Sequence, residues 1–377
     1  MRTLLAFGPL CGAAAVRAQH PALSPTSDTT IVVSGPLHYS SISVPAGVTV
    51  RFTAPGFGPF SVPGMPAVVF CDGDAIVHGK LALEGEIIND SPAGWVFTGQ
   101  GRSGSQCALN YLFPPEGGRH ASNYGSVLPF SLEGGSPSGE NYLYDAACIQ
   151  LQSRVPGAEG GGTLVLLADG RIEVAGTITA DGHGVTAGGS GGSILLRGAA
   201  GVTILPGGSV TARGGPGAPP LTIPPISPPL PPDYRLGEPG YVRLDAWGAL
   251  PAIQGTVEPP PTALALPHLR SVSQPSIGTT WTCSVFAPEN SAVFVAASPN
   301  PDNGTPTPFG PLGIDVASAT ILAWAAVAPS GHDPFVSTPA SVPNAPVLVG
   351  LGFWTQALVF PPALPARLSN TLSLVVQ

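Results

Sequence analysis

A pattern of alternating apolar and small or polar residues, bent at a central glycine and closed by another, occurs at least three times in this chain. The copies are Ala75-Ile-Val-His-Gly-Lys-Leu-Ala-Leu-Glu-Gly85, Ile172-Glu-Val-Ala-Gly-Thr-Ile-Thr-Ala-Asp-Gly182 and Val202-Thr-Ile-Leu-Pro-Gly-Gly-Ser-Val-Thr-Ala-Arg-Gly214. Alternation of this kind marks short half-buried strands, and a glycine inside it marks a bend. The second and third copies each follow another strand, 163–167 and 193–197, and Ile172 and Val202 stand 30 positions apart, as do Thr163 and Ser193. A period of that size belongs to stacked repeats, in which each unit buries its apolar face only against its neighbours. The reading is an all-β chain: a right-handed parallel β-helix, or β-solenoid, over residues 19–250. Residues 42–52 read as an earlier rung and 240–245 as the last. An antiparallel sandwich of similar hairpins remains open, because Asp169-Gly170 and Asp181-Gly182 could serve as its turns.

Composition agrees with strands rather than helices. The chain has 50 Gly and 46 Pro among 377 residues, types that do not sit comfortably inside a helix. Such a share would suit disorder, but 43% of residues are hydrophobic and only 10% charged, which supplies far more to bury than disordered chains possess.

Three stretches break the period. Residues 87–162, rich in Gly, Ser and Tyr, read as long loops projecting from a coil, where solenoids commonly place binding function. Residues 216–239 hold a proline-rich run that reads as extended surface chain. Residues 251–267, with Pro259-Pro260-Pro261, read as a linker. Beyond it, 268–377 reads as a small C-terminal β-sandwich with strands at 280–286, 292–297, 320–327, 347–360 and 368–376. Trp281, Trp324 and Trp354 are expected in its core, in preference to a carbohydrate-stacking role for one of them.

The first residues place Arg2 before an apolar run from Leu4 to Val16 and end at Val16-Arg17-Ala18, so residues 1–18 read as a signal peptide. A secreted product follows, extracellular or on the cell surface, or periplasmic, and the mature chain has no stretch that would span a membrane. The net charge of −8 becomes more negative by two when Arg2 and Arg17 leave, and Lys80 is the only lysine. Nucleic acid is therefore not an expected partner. Cys71, Cys107, Cys148 and Cys283 lie outside any zinc spacing. Disulfides are the natural use of cysteine in an exported chain; Cys107 with Cys148 is the favoured pair, and Cys71 and Cys283 are read as free thiols of the core.

Two resemblances add to this. Tyr124-Gly-Ser with Pro129 and Glu133-Gly-Gly, then Gly160-Gly-Gly-Thr-Leu-Val-Leu, Ala187-Gly-Gly-Ser-Gly-Gly-Ser-Ile-Leu-Leu, Ala212-Arg-Gly-Gly215 and Gly240-Tyr-Val-Arg243 resemble the Gly-rich β-helical exported proteins of planctomycetes, over about residues 30–250. Pro275-Ser-Ile-Gly278, the run from Val347 to Phe360 and Arg367-Leu-Ser-Asn370 resemble a planctomycete-type β-sandwich module that ends many exported proteins of that group. Neither resemblance carries a catalytic residue across.

Parallel β-helices also serve as polysaccharide lyases and hydrolases, so chemistry has to be sought. Glycoside hydrolysis needs two facing carboxylates. Asp169 and Asp181 are the nearest, and each precedes a glycine as turn residues do. A lyase needs clustered acids for Ca²⁺ and a base; Asp72 and Asp74, with Lys80 and Arg51, are all the sequence offers, short of a six- to eight-oxygen calcium shell. Gly188-Gly-Ser-Gly-Gly192 lacks the following helix of a nucleophile elbow and reads as tight corner packing. His183, His268 and His332 show no metal spacing, and Asp302-Asn-Gly304 reads as a turn. The expectation is a non-enzymatic structural or binding protein of the cell envelope or matrix, without catalytic or cofactor residues, whose partners are cell-envelope components or polysaccharide, with a glycan as ligand. The alternative is a β-helix polysaccharide lyase or glycoside hydrolase.

Overall fold

The computed structural model describes residues 20–53, 66–83, 160–184, 187–217, 236–329 and 333–377, together with the backbone of four short strands between 104 and 155. Residues 1–18, read from sequence as a signal peptide, lie outside the described residues with Cys148, His332 and the side chain of Cys107, so the expected Cys107–Cys148 pair does too.

Strands stack in three parallel sheets, one per face of a β-helix. The first face holds Leu37–Tyr39, Ala67–Cys71, Thr163–Ala168, Ser193–Gly198, Tyr241–Trp247 and Thr262–Leu266. The second holds Ile42–Val44, Ala75–Val77, Ile172–Val174, Val202–Ile204 and Ala252–Ile253, and the third runs from Thr29–Val32 to Thr256–Glu258. The chain visits the faces in that order, coil after coil. Ile172 pairs with Val202 in parallel register and Thr163 with Ser193, while Ile172 also pairs with Ala75 and Ala75 with Ile42. The 30-residue period is therefore one coil, and the antiparallel alternative falls.

Inward side chains form columns along the axis. Val44, Val77, Val174 and Ile204 are one, and Val50, Leu81, Ile178 and Val210 another, all essentially inaccessible. Each coil covers its neighbour's apolar surface, at roughly 25 cal/mol per Å² removed from water. The repeat's central glycines stack at the corner between second and third faces. A methyl on Gly176 would stand 2.0 Å from the Gly79 carbonyl oxygen, and one on Gly255 2.3 Å from that of Gly208. Only residues without Cβ permit that spacing.

Residues 251–267 are not a linker. Ala252–Ile253, Thr256–Glu258 and Thr262–Leu266 pair in parallel with 203–204, 209–211 and 243–247, adding a coil beyond the rung expected to be last. Its prolines are tolerated because no further coil stacks on it, and an edge residue without N–H gives up no ladder bond. Nor is 87–162 loop alone: Gly104–Cys107, Asn110–Phe113, Asn141–Tyr144 and Leu151–Val155 build a four-stranded sheet of their own.

The C-terminal part is two antiparallel sheets, His268–Ser271, Thr280–Phe286 and Phe335–Ser341 against a larger one built on Ala292–Ser298, Thr320–Ala326 and Gly352–Phe360 with two short strands. Leu269, Trp281, Cys283 and Val285 of the first meet Val293, Val295, Ala357 and Val359 of the second in one core, a β-sandwich. Trp281 is buried as expected, its Nε1 donating to Ser271 Oγ and its ring edge-on to Phe353.

Candidate functional site

The carboxylates singled out by sequence are held by the scaffold. Asp74 Oδ1 accepts from the Arg171 amide at 2.9 Å, and the Arg171 guanidinium lies 3.4 Å from its other oxygen. Asp72 Oδ2 is 3.1 Å from His20 Nδ1, and His20 continues through His38 into a ring stack on Phe70. Asp181 accepts from the Arg213 amide and the Thr211 hydroxyl of the next coil. These acids bond to residues 30 to 97 positions away and so tie the scaffold together over distance, a role beyond the local turns expected of them. Among the described residues no three His, Cys, Asp or Glu side chains converge as a metal site. Cys71 and Cys283 are free, buried thiols, and burial pushes both pKa values up, away from the reactive thiolate. Gly188, Gly191 and Gly192 pack backbone on backbone, a methyl on Gly192 reaching 1.8 Å from the Gly162 carbonyl oxygen. That is corner packing, as their spacing suggested.

Among the described residues, the outer face of the larger sandwich sheet carries an apolar ledge. Trp324, expected in the core, is 75% exposed there. The cause is local. Opposite Val295 and Ala296 the register slips, leaving Leu322 as the extra residue of a bulge. Strict alternation would put Leu322 and Trp324 on one side; the bulge sends Leu322 into the core and Trp324 outward. Across the sheet Trp324 faces Phe294, and Phe294 faces Leu358. Phe360 stands edge-on to Phe294 at 5.9 Å, and Phe309, from the short hairpin of Pro306–Thr307 and Gly310–Pro311, reaches Phe360 at 6.3 Å. Ile321 widens this ledge, 65% exposed.

Further along the 352–360 strand the same face carries Gln356 and Trp354, which with Asp302, Leu312, Asn370 and Thr371 line an open cleft of about 440 Å³. Its polar walls are ordered. Gln356 Oε1 accepts from the Gly313 amide and its Nε2 donates to the Pro311 and Ser369 carbonyls. Asp302 accepts from the amide and hydroxyl of Thr305, forming the expected turn at Gly304. Hydrogen bonds from Thr305 hold the Asp302 carboxyl below its ordinary pKa, and those from Ser318 and the Ala317 amide do the same for Asp315 on the same loop. Both are anions at neutral pH. Sequence alone gave Trp354 and Asp302 as core and turn; their joining in a cleft depends on the loop 299–319 folding back over the sheet, for which no short-range pattern codes.

A buried cluster joins the two halves. Arg197 Nη2 donates to Asp245 Oδ2 at 2.7 Å and to Asp333 Oδ1 at 2.6 Å, while Arg243 donates to Asp333 Oδ2 at 2.7 Å and to Asp245 Oδ1 at 2.9 Å. The Arg243 guanidinium also lies over the Phe286 ring. Arg197, Arg243 and Asp245 from the helix face and Asp333 from the sandwich make this a joint with balanced charge, in which only Arg197 keeps partial access to solvent.

Compared with family models, curated proteins and solved structures, the chain finds no match in any of the three. No helix among the described residues is long and apolar enough to cross a membrane.

Proposed function

We propose that this chain is an exported, non-enzymatic protein of the cell envelope or extracellular matrix, a rigid β-helix bearing a terminal sandwich that binds a glycan. The resemblance to planctomycete-type exported modules and the leader at residues 1–18 belong to the same proposal. The observation that carries it is the exposed Trp324 ring beside half-buried Phe294, next to a cleft with ordered polar walls. Trp324, Ile321, Phe360 and Phe309 lie together, and a contiguous exposed apolar patch of this kind marks an interaction surface. A pyranose suits the pairing: its axial C–H groups carry slight positive charge and lie on the negative face of a ring, while its hydroxyls take polar neighbours. The acids that a lyase or hydrolase would need are instead tied into corners at Asp74 and Asp181. The test is incubation of the purified chain with a panel of insoluble polysaccharides. Retention on at least one without release of soluble sugar is expected; turnover that disappears in Asp72→Asn or Asp74→Asn would overturn the reading in favour of an enzyme.

A further inference from the structure

We infer that the outer face of the larger sandwich sheet takes an uncharged polysaccharide chain, laid on the Trp324, Phe294 and Phe360 ledge beside the Trp354 cleft, and rejects acidic glycans. This rests on the glycan-binding reading above and adds to it the chemical class of the ligand.

The argument is one of charge. From residue 271 to the C-terminus the sequence has one arginine, Arg367, and no lysine, against Glu289, Asp302, Asp315 and Asp333. Arg367 turns its guanidinium onto Gly248 of the β-helix. Asp333 points into the buried joint. Of the remaining acids, Asp302 lines the cleft and Asp315 shares its 299–319 loop, both kept ionised by their own hydrogen bonds, while Glu289 stands on the turn between Thr280–Phe286 and Ala292–Ser298. A uronate or sulfated chain approaching this face would lose hydration and meet carboxylates with no cation among the described residues there to pair with, an arrangement that opposes binding. A neutral chain meets no such penalty. Its apolar ring faces lie on Trp324 and Phe294, and the cleft's Asp302 carboxylate accepts hydrogen bonds from sugar hydroxyls, which an anion does strongly. A second protein copy is the less apt occupant, because Asp302, Gln356, Asn370 and Thr371 give the cleft beside the ledge polar walls.

The test uses the full mature chain and two soluble probes, hydroxyethyl cellulose as the neutral polymer and polygalacturonate as the acidic one, in affinity electrophoresis and titration calorimetry. The neutral probe is expected to bind with little dependence on salt, and Trp324→Ala to weaken it on the order of tenfold or more, as loss of a central aromatic anchor does. Trp324 is exposed, so the variant keeps its fold, which an unchanged melting temperature verifies. Salt-sensitive binding of polygalacturonate would overturn the inference on ligand class while leaving glycan binding standing. Binding of neither probe, or a dimer in sedimentation that Trp324→Ala dissociates, would overturn glycan binding at this face itself.

Discussion

A methyl group decides much of this structure. At the corner where the third face returns to the first, a Cβ on Gly240 would lie 1.7 Å from the Gly192 carbonyl oxygen, and its nearest neighbours are all backbone atoms of Gly191 and Gly192, with nothing soft to move. Gly240→Ala is therefore expected to cost more than about 3 kcal/mol or to abolish soluble expression. Gly35→Ala, where nothing lies within 4 Å, is expected to stay within about 0.5 kcal/mol of the wild type by urea unfolding. A pH effect is readable at His268. Burial, and then the Arg243 cation, depress its pKa below the ordinary 6.5, against a smaller pull from Asp245. The unfolded chain consequently takes up the proton first as pH falls, so this stabilisation is present above about pH 6.5 and is lost from there down to the folded pKa. The urea midpoint should fall on moving from about pH 7.5 to about pH 5.5, and His268→Gln should make that fall smaller. An equal fall in the variant would place the effect elsewhere.

At the scale of strands, the stack was legible wherever residue type and backbone agreed. Ile172 and Val202 share a register because each coil repeats the same apolar column, and that column can be read from spacing alone. The final coil was not legible, since Pro259, Pro260 and Pro261 signal a break, and only the absence of a next coil makes them harmless at 256–266. Trp324 was misplaced for a comparable reason: alternation fixes a strand's faces only until a bulge, and a bulge is set by the partner strand. Strand 335–341 was missed because Pro339 interrupts it, which an edge position tolerates. The stack also predicts how sensitivity varies along it. Ile172 sits in the middle of a column, fully buried, and its replacement by Ala should cost about 2–5 kcal/mol. Ile253, on the terminal coil and 40% exposed, should cost well under half of that. Equal losses would mean that the coils do not share one core in the way their columns imply.

Over the whole molecule, the joint decides whether β-helix and sandwich behave as two bodies or one. A proline-rich tether would have let them unfold independently. Instead Thr262–Leu266 closes the helix and His268–Ser271 opens the sandwich one residue later, with Asp333 reaching back to Arg197 and Arg243 across the seam. Trp247 adds a hydrogen bond from Nε1 to the Pro365 carbonyl. The four charges balance only as a set. Removing Asp333 leaves two buried guanidinium groups facing the single carboxylate of Asp245, and breaking a buried ion pair from one side typically costs about 3–5 kcal/mol because the remaining charge is uncompensated. Asp333→Ala should therefore lower stability by that order and, since the loss falls on the seam rather than on either core, split one calorimetric transition into two. Replacing the whole set with apolar residues of similar size removes the stranded charge and should recover most of the loss, because it is desolvation and not the pairing itself that the single variant exposes. A single transition in Asp333→Ala at near wild-type temperature would show that the sandwich is held by its apolar contacts, and that the charged seam merely fills the space between them.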